Sequence, residues 1–225
     1  MIGGMKLNLK KVLGLILGAS ILFSNEISSA AENLDVNQPQ NFDSEQSVEL
    51  EGVVYESQRY GYRIVCPKQP SIVPASFMYE DRKGDLLIFD YDNDDITQIK
   101  YAWLVTVDAF DTKKVIDFNK ANDKKFDEYL DQLKNSNGFE TAVQLQLPKN
   151  NKGVFAVTAK EVDIDADGDG IIDDTATADH QEIVVFFRSD KKRAFSIQLI
   201  QLPEIDENAF QYFKLGVSTF EDTTN

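Results

Sequence analysis

The chain has 225 residues, with 38 Asp and Glu against 23 Lys and Arg, a formal charge of −15, one histidine and one cysteine. So acidic a surface repels nucleic acid and anionic lipid and favours solubility. The lone cysteine excludes an internal disulfide, and one His with one Cys argues against a zinc site of those ligands.

Taken in order, the chain opens with Lys6, Lys10 and Lys11, an apolar run from Val12 to Phe23, and the small residues Ser28-Ser29-Ala30-Ala31. This order predicts a secretory signal peptide over residues 1–31, cut after Ala30 or Ala31. Its apolar run is about twelve residues, short of the roughly twenty needed to cross a bilayer. Cleavage removes three Lys and one Glu, so the formal charge moves from −15 to −17. Nothing downstream reads as an integral membrane segment. Residues 32–47 are Asn, Gln, Asp, Glu, Ser and Pro with little to bury, and predict a disordered lead-in. A single domain is expected over 48–225.

Within it, residues 48–56 and 61–66 predict two strands around a Gln-Arg-Tyr-Gly turn. Cys66 falls in the second of these and is expected to be a buried structural thiol. A loop through Pro74 leads to a strand over 85–91 with the core Leu86-Leu87-Ile88-Phe89, followed by the acidic turn Asp92-Asn93-Asp94-Asp95. Residues 98–110, holding the only Trp, Trp103, are the longest strand candidate. Phe126, Tyr129, Leu130 and Leu133 recur at helical spacing, which predicts an amphipathic helix over 122–134, capped by Asn or Asp and closed by Gly138. Two hairpins are then expected: 139–147 with 153–162 across Pro148–Lys152, and 182–188 with 193–201. The second turn gathers Arg188, Lys191, Lys192 and Arg193, the one basic spot, read either as a solvated turn or as a dock for an acidic partner. A terminal helix is expected over 203–220, opened by Asp206 or Asn208.

The chemistry concentrates between the hairpins. Asp163, Asp165, Asp167, Asp169, Asp173 and Asp174 surround Gly168 and Gly170, with Ile171 and Ile172 between the glycines and the last two carboxylates. Calcium takes six to eight oxygens at about 2.3–2.6 Å, and alternate side chains of a tightly turning loop converge to supply them. Two registers fit. Numbered from Asp163, the turn glycine is Gly168 and Asp174 is twelfth. Numbered from Asp165, the turn glycine is Gly170, Ile171 offers its carbonyl at seven, Ile172 packs at eight and Asp173 ligates at nine. The second is preferred, although Ala176 then stands where a helix-loop-helix site has its bidentate Glu. The D-x-D-x-D-G-x-x-D pattern resembles the calcium loops of thrombospondin type 3 and related bacterial repeats. Flanking β-branched and aromatic runs place the loop between strands, not helices. The expected cofactor is one Ca²⁺, structural in role.

Antiparallel strands with two helices predict an α+β fold, an antiparallel sheet covered by helices. Three features resemble the PsbP-like fold: Gly61-Tyr62-Arg63-Ile64-Val65-Cys66-Pro67, the hairpin from Phe186-Phe187-Arg188 to Ala194-Phe195-Ser196-Ile197, and the closing Phe213-Lys214-Leu215-Gly216-Val217-Ser218-Thr219-Phe220. The calcium loop is not part of that family's pattern and reads as an insertion. The resemblance implies a non-catalytic binding or assembly module.

The resulting expectation is a bacterial secreted protein, periplasmic or extracellular. It is a monomeric binding or accessory domain whose partner is an unidentified protein or cell-envelope component. The alternative is a secreted hydrolase with structural calcium, but the only histidine, His180, has no recognisable nucleophile motif beside it.

Overall fold

The structure is a computed structural model and describes residues 38–42, 51–91, 99–109, 116–135, 138–164, 171–177, 181–189, 193–201 and 209–224. Its centre is an eight-stranded sheet. Five long strands make most of it: β5 (Gly84–Tyr91), β6 (Ile99–Ala109), β7 (Phe139–Leu147), β8 (Asn151–Thr158) and β12 (Arg193–Gln201). β11 (Ile183–Arg188) lies between β8 and β12, while β1 (Gln40–Asn41) and β4 (Ser71–Pro74) form the two edges. The order is β1-β7-β8-β11-β12-β6-β5-β4, antiparallel throughout except for the parallel β1–β7 pair.

Both faces of this sheet are covered, and strand alternation assigns each residue its side. Leu87 and Phe89 of β5 join Trp103, Phe155, Val185 and Ile197 on one face, while Leu86 and Ile88 turn to the other with Ala102 and Leu104. The consecutive apolar run in β5 therefore serves two cores at once.

The first face is closed by helix α2 (Ala209–Thr219) and by a separate three-stranded sheet. That sheet comprises β2 (Val53–Ser57), β3 (Tyr62–Cys66) and β13 (Glu221–Asp222), in the order β13-β3-β2. Phe210, Phe213 and Val217 of α2 are buried, and Phe213 meets the fully buried Trp103 edge-on at 6.1 Å between ring centres. Gly216 permits the approach: a Cβ there would lie 2.6 Å from Cζ3 of the indole.

On the opposite face lies α1 (Asp123–Lys134). The Asn122 side chain caps it by accepting from the Lys125 amide at 3.0 Å, and Asp123 and Lys134 stand at the ends that favour their charges. Phe126 and Leu130, one turn apart, bury against Phe118, Ala142, Val154 and Ala156. The expected amphipathic helix is thus present, but it ends at Asn135, whose N–H reaches Asp131 O, before Gly138.

Several expected boundaries move. Both hairpins form, yet β8 ends at Thr158 and not at residue 162, with the Ala159 amide making one further bond, to Gly138 O opposite it. The stretch through Pro74 is partly edge strand, where a missing N–H costs no ladder bond. The lead-in is not featureless: Gln40 and Asn41 pair with β7, and Phe42 is buried against Phe155 and Phe210. The turn at 92–95 and the helix start at 203–208 lie outside the described residues.

Candidate metal centre

Between β8 and β11 the chain leaves the large sheet as a two-stranded arm, β9 (Glu161–Ile164) and β10 (Asp174–Thr177). β8 and β11 are antiparallel neighbours, so the acidic segment does join two strands, as the flanks suggested. It does so at the end of the arm, and its residues 165–170 lie outside the described residues.

The register of the arm determines where the candidate ligands stand. Thr175 pairs with Asp163, and Asp174 with Ile164. Directly paired residues share a face, and successive residues alternate. Asp163 and Asp174 therefore occupy opposite faces of the ribbon. The Asp174 carboxylate accepts from the Thr175 amide at 2.8 Å, and the Asp173 amide donates to Ile164 O at 2.7 Å, beyond the last paired rung. Asp163, Asp173 and Asp174 are all exposed. Asp165, Asp167 and Asp169 lie outside the described residues, and among the described residues no three acidic, His or Cys side chains form a metal-sized cluster.

Ile172, expected to pack at position eight of the loop, is 52% exposed, and Ile171 is 65% exposed. Of the arm's described residues only Val162 is buried.

The basic spot is dismantled by the same alternation. The Arg188 guanidinium lies 4.3 Å above the Phe118 ring on the α1 side of the sheet. Arg193 turns to the other side, pairing with Asp222 at 2.6 Å and donating to the carbonyls of Tyr60 and Gly61. An exposed dock would need the two arginines together; Lys191 and Lys192 lie outside the described residues. Burial raises the Asp222 carboxyl, but hydrogen bonds from Ser189, Thr224 and Arg193 outweigh it and leave the pKa below the ordinary value.

No family model and no curated protein matches the sequence. Among solved structures, it is similar to "Solution Structure of Cyanobacterial PsbP (CyanoP) from Synechocystis sp. PCC 6803". The identity is 7%, the match spans 80% of this chain and 96% of that one, and the TM-score is 0.45. Nothing about activity or partners passes from that structure to this chain.

Cys66 is fully buried, and burial pushes its thiol up to about 12, so it is a structural thiol and not a nucleophile at neutral pH. A second polar group escaped the sequence reading. Asp85, on β5, points into the core between the two sheets and accepts from Tyr62 Oη at 2.7 Å and from Tyr55 Oη at 3.3 Å. Burial, then the Asp85 charge, raises Tyr55 to about 12 and also holds Tyr62 well above its ordinary value. No sequence signal marks this cluster, because Asp85 looks like any polar residue at a strand start. Among the described residues, no helix is long and apolar enough to cross a membrane.

Proposed function

We propose that the protein is a secreted, non-catalytic binding or accessory domain that holds one calcium ion in the loop 165–173, at the tip of the β9–β10 arm. The carrying observation is the register of the arm. A loop numbered from Asp163 to Asp174 has its first and last ligands on opposite faces of a paired ribbon, where they diverge. A loop numbered from Asp165 begins its ligand set after the last paired rung, with Asp165, Asp167, Asp169, the Ile171 carbonyl and Asp173 as ligands. Asp163 and Asp174 then drop out of the set and add only charge.

The donor chemistry suits calcium: hard carboxylate and carbonyl oxygens, with glycines where the chain turns. Lacking a twelfth-position carboxylate, the site binds on the order of 10⁻⁴ to 10⁻³ M, the range of extracellular modules. At about millimolar calcium this stabilises the fold by roughly 0.4–1.4 kcal/mol. Secretion rests on the signal-like segment 1–31, and export brings the loop to a compartment rich enough in calcium to fill it. Its partner is another protein or a component of the cell envelope.

Calcium titration by calorimetry tests this reading, with melting curves at zero and millimolar calcium. Saturable binding is expected, abolished by Asp169→Ala, whose carboxylate is a ligand only in the register from Asp165, and retained by Asp174→Ala. Retention in the first variant with loss in the second would restore the register from Asp163. No binding up to several millimolar would refute calcium altogether.

A further inference from the structure

On the side of the molecule where the small sheet ends, the β2–β3 turn, the loop before β5 and the chain after β13 enclose a recess of about 540 Å³. Its walls include Glu56, Arg59, Tyr60, Lys83, Val107 and Arg193. Three cations against one carboxylate stand out on a chain whose formal charge is −15.

The recess is held open by bonds within its own walls. Gly61, at φ +61°, turns the chain tightly, and its amide donates to Ser57 O at 2.7 Å. Its carbonyl accepts from the Thr223 amide at 2.9 Å and from Arg193 at 3.0 Å, which ties the chain end to the turn. Across the recess, Lys83 O accepts from the Val107 amide at 2.8 Å and fixes the opposite wall. These contacts use up the Arg193 guanidinium, which Asp222 also neutralises.

Arg59 and Lys83 have other surroundings. The Arg59 guanidinium lies 5.2 Å from the Tyr60 ring centre, a contact that orients it without neutralising it. Among the described residues, neither Arg59 nor Lys83 forms an ion pair. Glu56 offsets one of the two, leaving the recess with a modest positive excess. An aromatic wall, an apolar Val107 floor and two available cations are the elements of a small-molecule anion site, and the volume falls within the roughly 300–1,000 Å³ usual for such sites.

We propose that this recess binds a small organic or inorganic oxyanion. Arg59 and Lys83 hold its carboxylate or phosphate group, and Tyr60 and Val107 pack against any apolar remainder. The site is separate from the acidic arm and requires no calcium.

The test is a set of amide nitrogen–proton spectra of the protein in calcium-free buffer, titrated in parallel with inorganic phosphate and with citrate at matched ionic strength. Saturable shifts are expected at Tyr60, Gly61, Lys83, Thr223 and Thr224. Preference for phosphate or for citrate distinguishes the two oxyanion classes. Arg59→Gln and Lys83→Gln each alter an exposed side chain and should keep a dispersed, folded spectrum. Each is expected to weaken binding by at least about tenfold, the loss of one charge-assisted hydrogen bond. Absence of saturable shifts with both anions up to several tens of millimolar would overturn the proposal. So would shifts that persist undiminished in the double variant.

Discussion

Two small β-structures hang on the large sheet, and they are built on opposite terms. The arm β9–β10 is paired in register over four residues a side, yet Val162 is the one buried residue among those described in it. In the small sheet β13-β3-β2 the β2–β3 pairing is only one rung longer, yet Tyr62, Ile64 and Cys66 are all at most 1% exposed. Backbone pairing is thus available to both, while apolar burial is confined to one. Burial is what couples a segment to the rest of the fold, since an isolated two-stranded ribbon is marginal in water. The small sheet therefore belongs to the folding unit, while the described part of the arm adds only Val162 to the buried residues.

The comparison is broken most forcefully at the joint between α2 and the large sheet. Phe213→Ala removes a fully buried ring that packs on Trp103 and should lower unfolding free energy by about 3–5 kcal/mol in a urea melt. Next is Tyr62→Phe, which deletes the 2.7 Å hydrogen bond to buried Asp85 and is expected to cost about 1.5–3 kcal/mol. A loss below about 0.5 kcal/mol would mean that this network does not clamp the two sheets.

A smaller effect separates the regions by pH. The Cys66 thiol titrates near 12 in the folded protein against an ordinary 9.0, so its contribution is complete below pH 9 and fades as pH rises toward 12. Tyr55, raised to about 12 from 10.0, acts in the same direction. Stability measured by urea should therefore fall above pH 9, and Cys66→Val should flatten part of that slope. A thiol reagent at neutral pH should modify Cys66 only upon unfolding. Smallest of all, Asp163→Asn on the arm should stay within about 0.5 kcal/mol of wild type in calcium-free buffer. A larger loss would show that the arm is coupled to the core after all.

Much of the architecture was legible in the residues. The α1 stripe of Phe126, Tyr129, Leu130 and Leu133, the two hairpins and the buried character of Cys66 follow from periodicity, turn composition and strand context, all of them local signals. Less visible were β4, whose Pro74 reads as a loop until it is placed on an edge, and Phe42, whose neighbours are polar. The exposure of Ile172 has a related reason: hydrophobicity predicts burial only where the fold supplies a surface. The oxyanion recess was invisible, since Arg59, Lys83 and Arg193 are far apart in the chain and become neighbours only through the β2–β3 turn and the closing strand.

By itself the sequence determined the α+β class, the order of the longer strands and the two helices, and the place of the acidic segment between strands, because each depends on spacing within a few residues. Only the tertiary structure decided which face each side chain serves. It separated Arg188 from Arg193 across the sheet, put Asp163 and Asp174 on opposite faces of the arm, and drew Asp85 inward to the two tyrosines. The physical reason is alternation: in a strand one residue of register exchanges core for solvent, and register is set by partners remote in sequence.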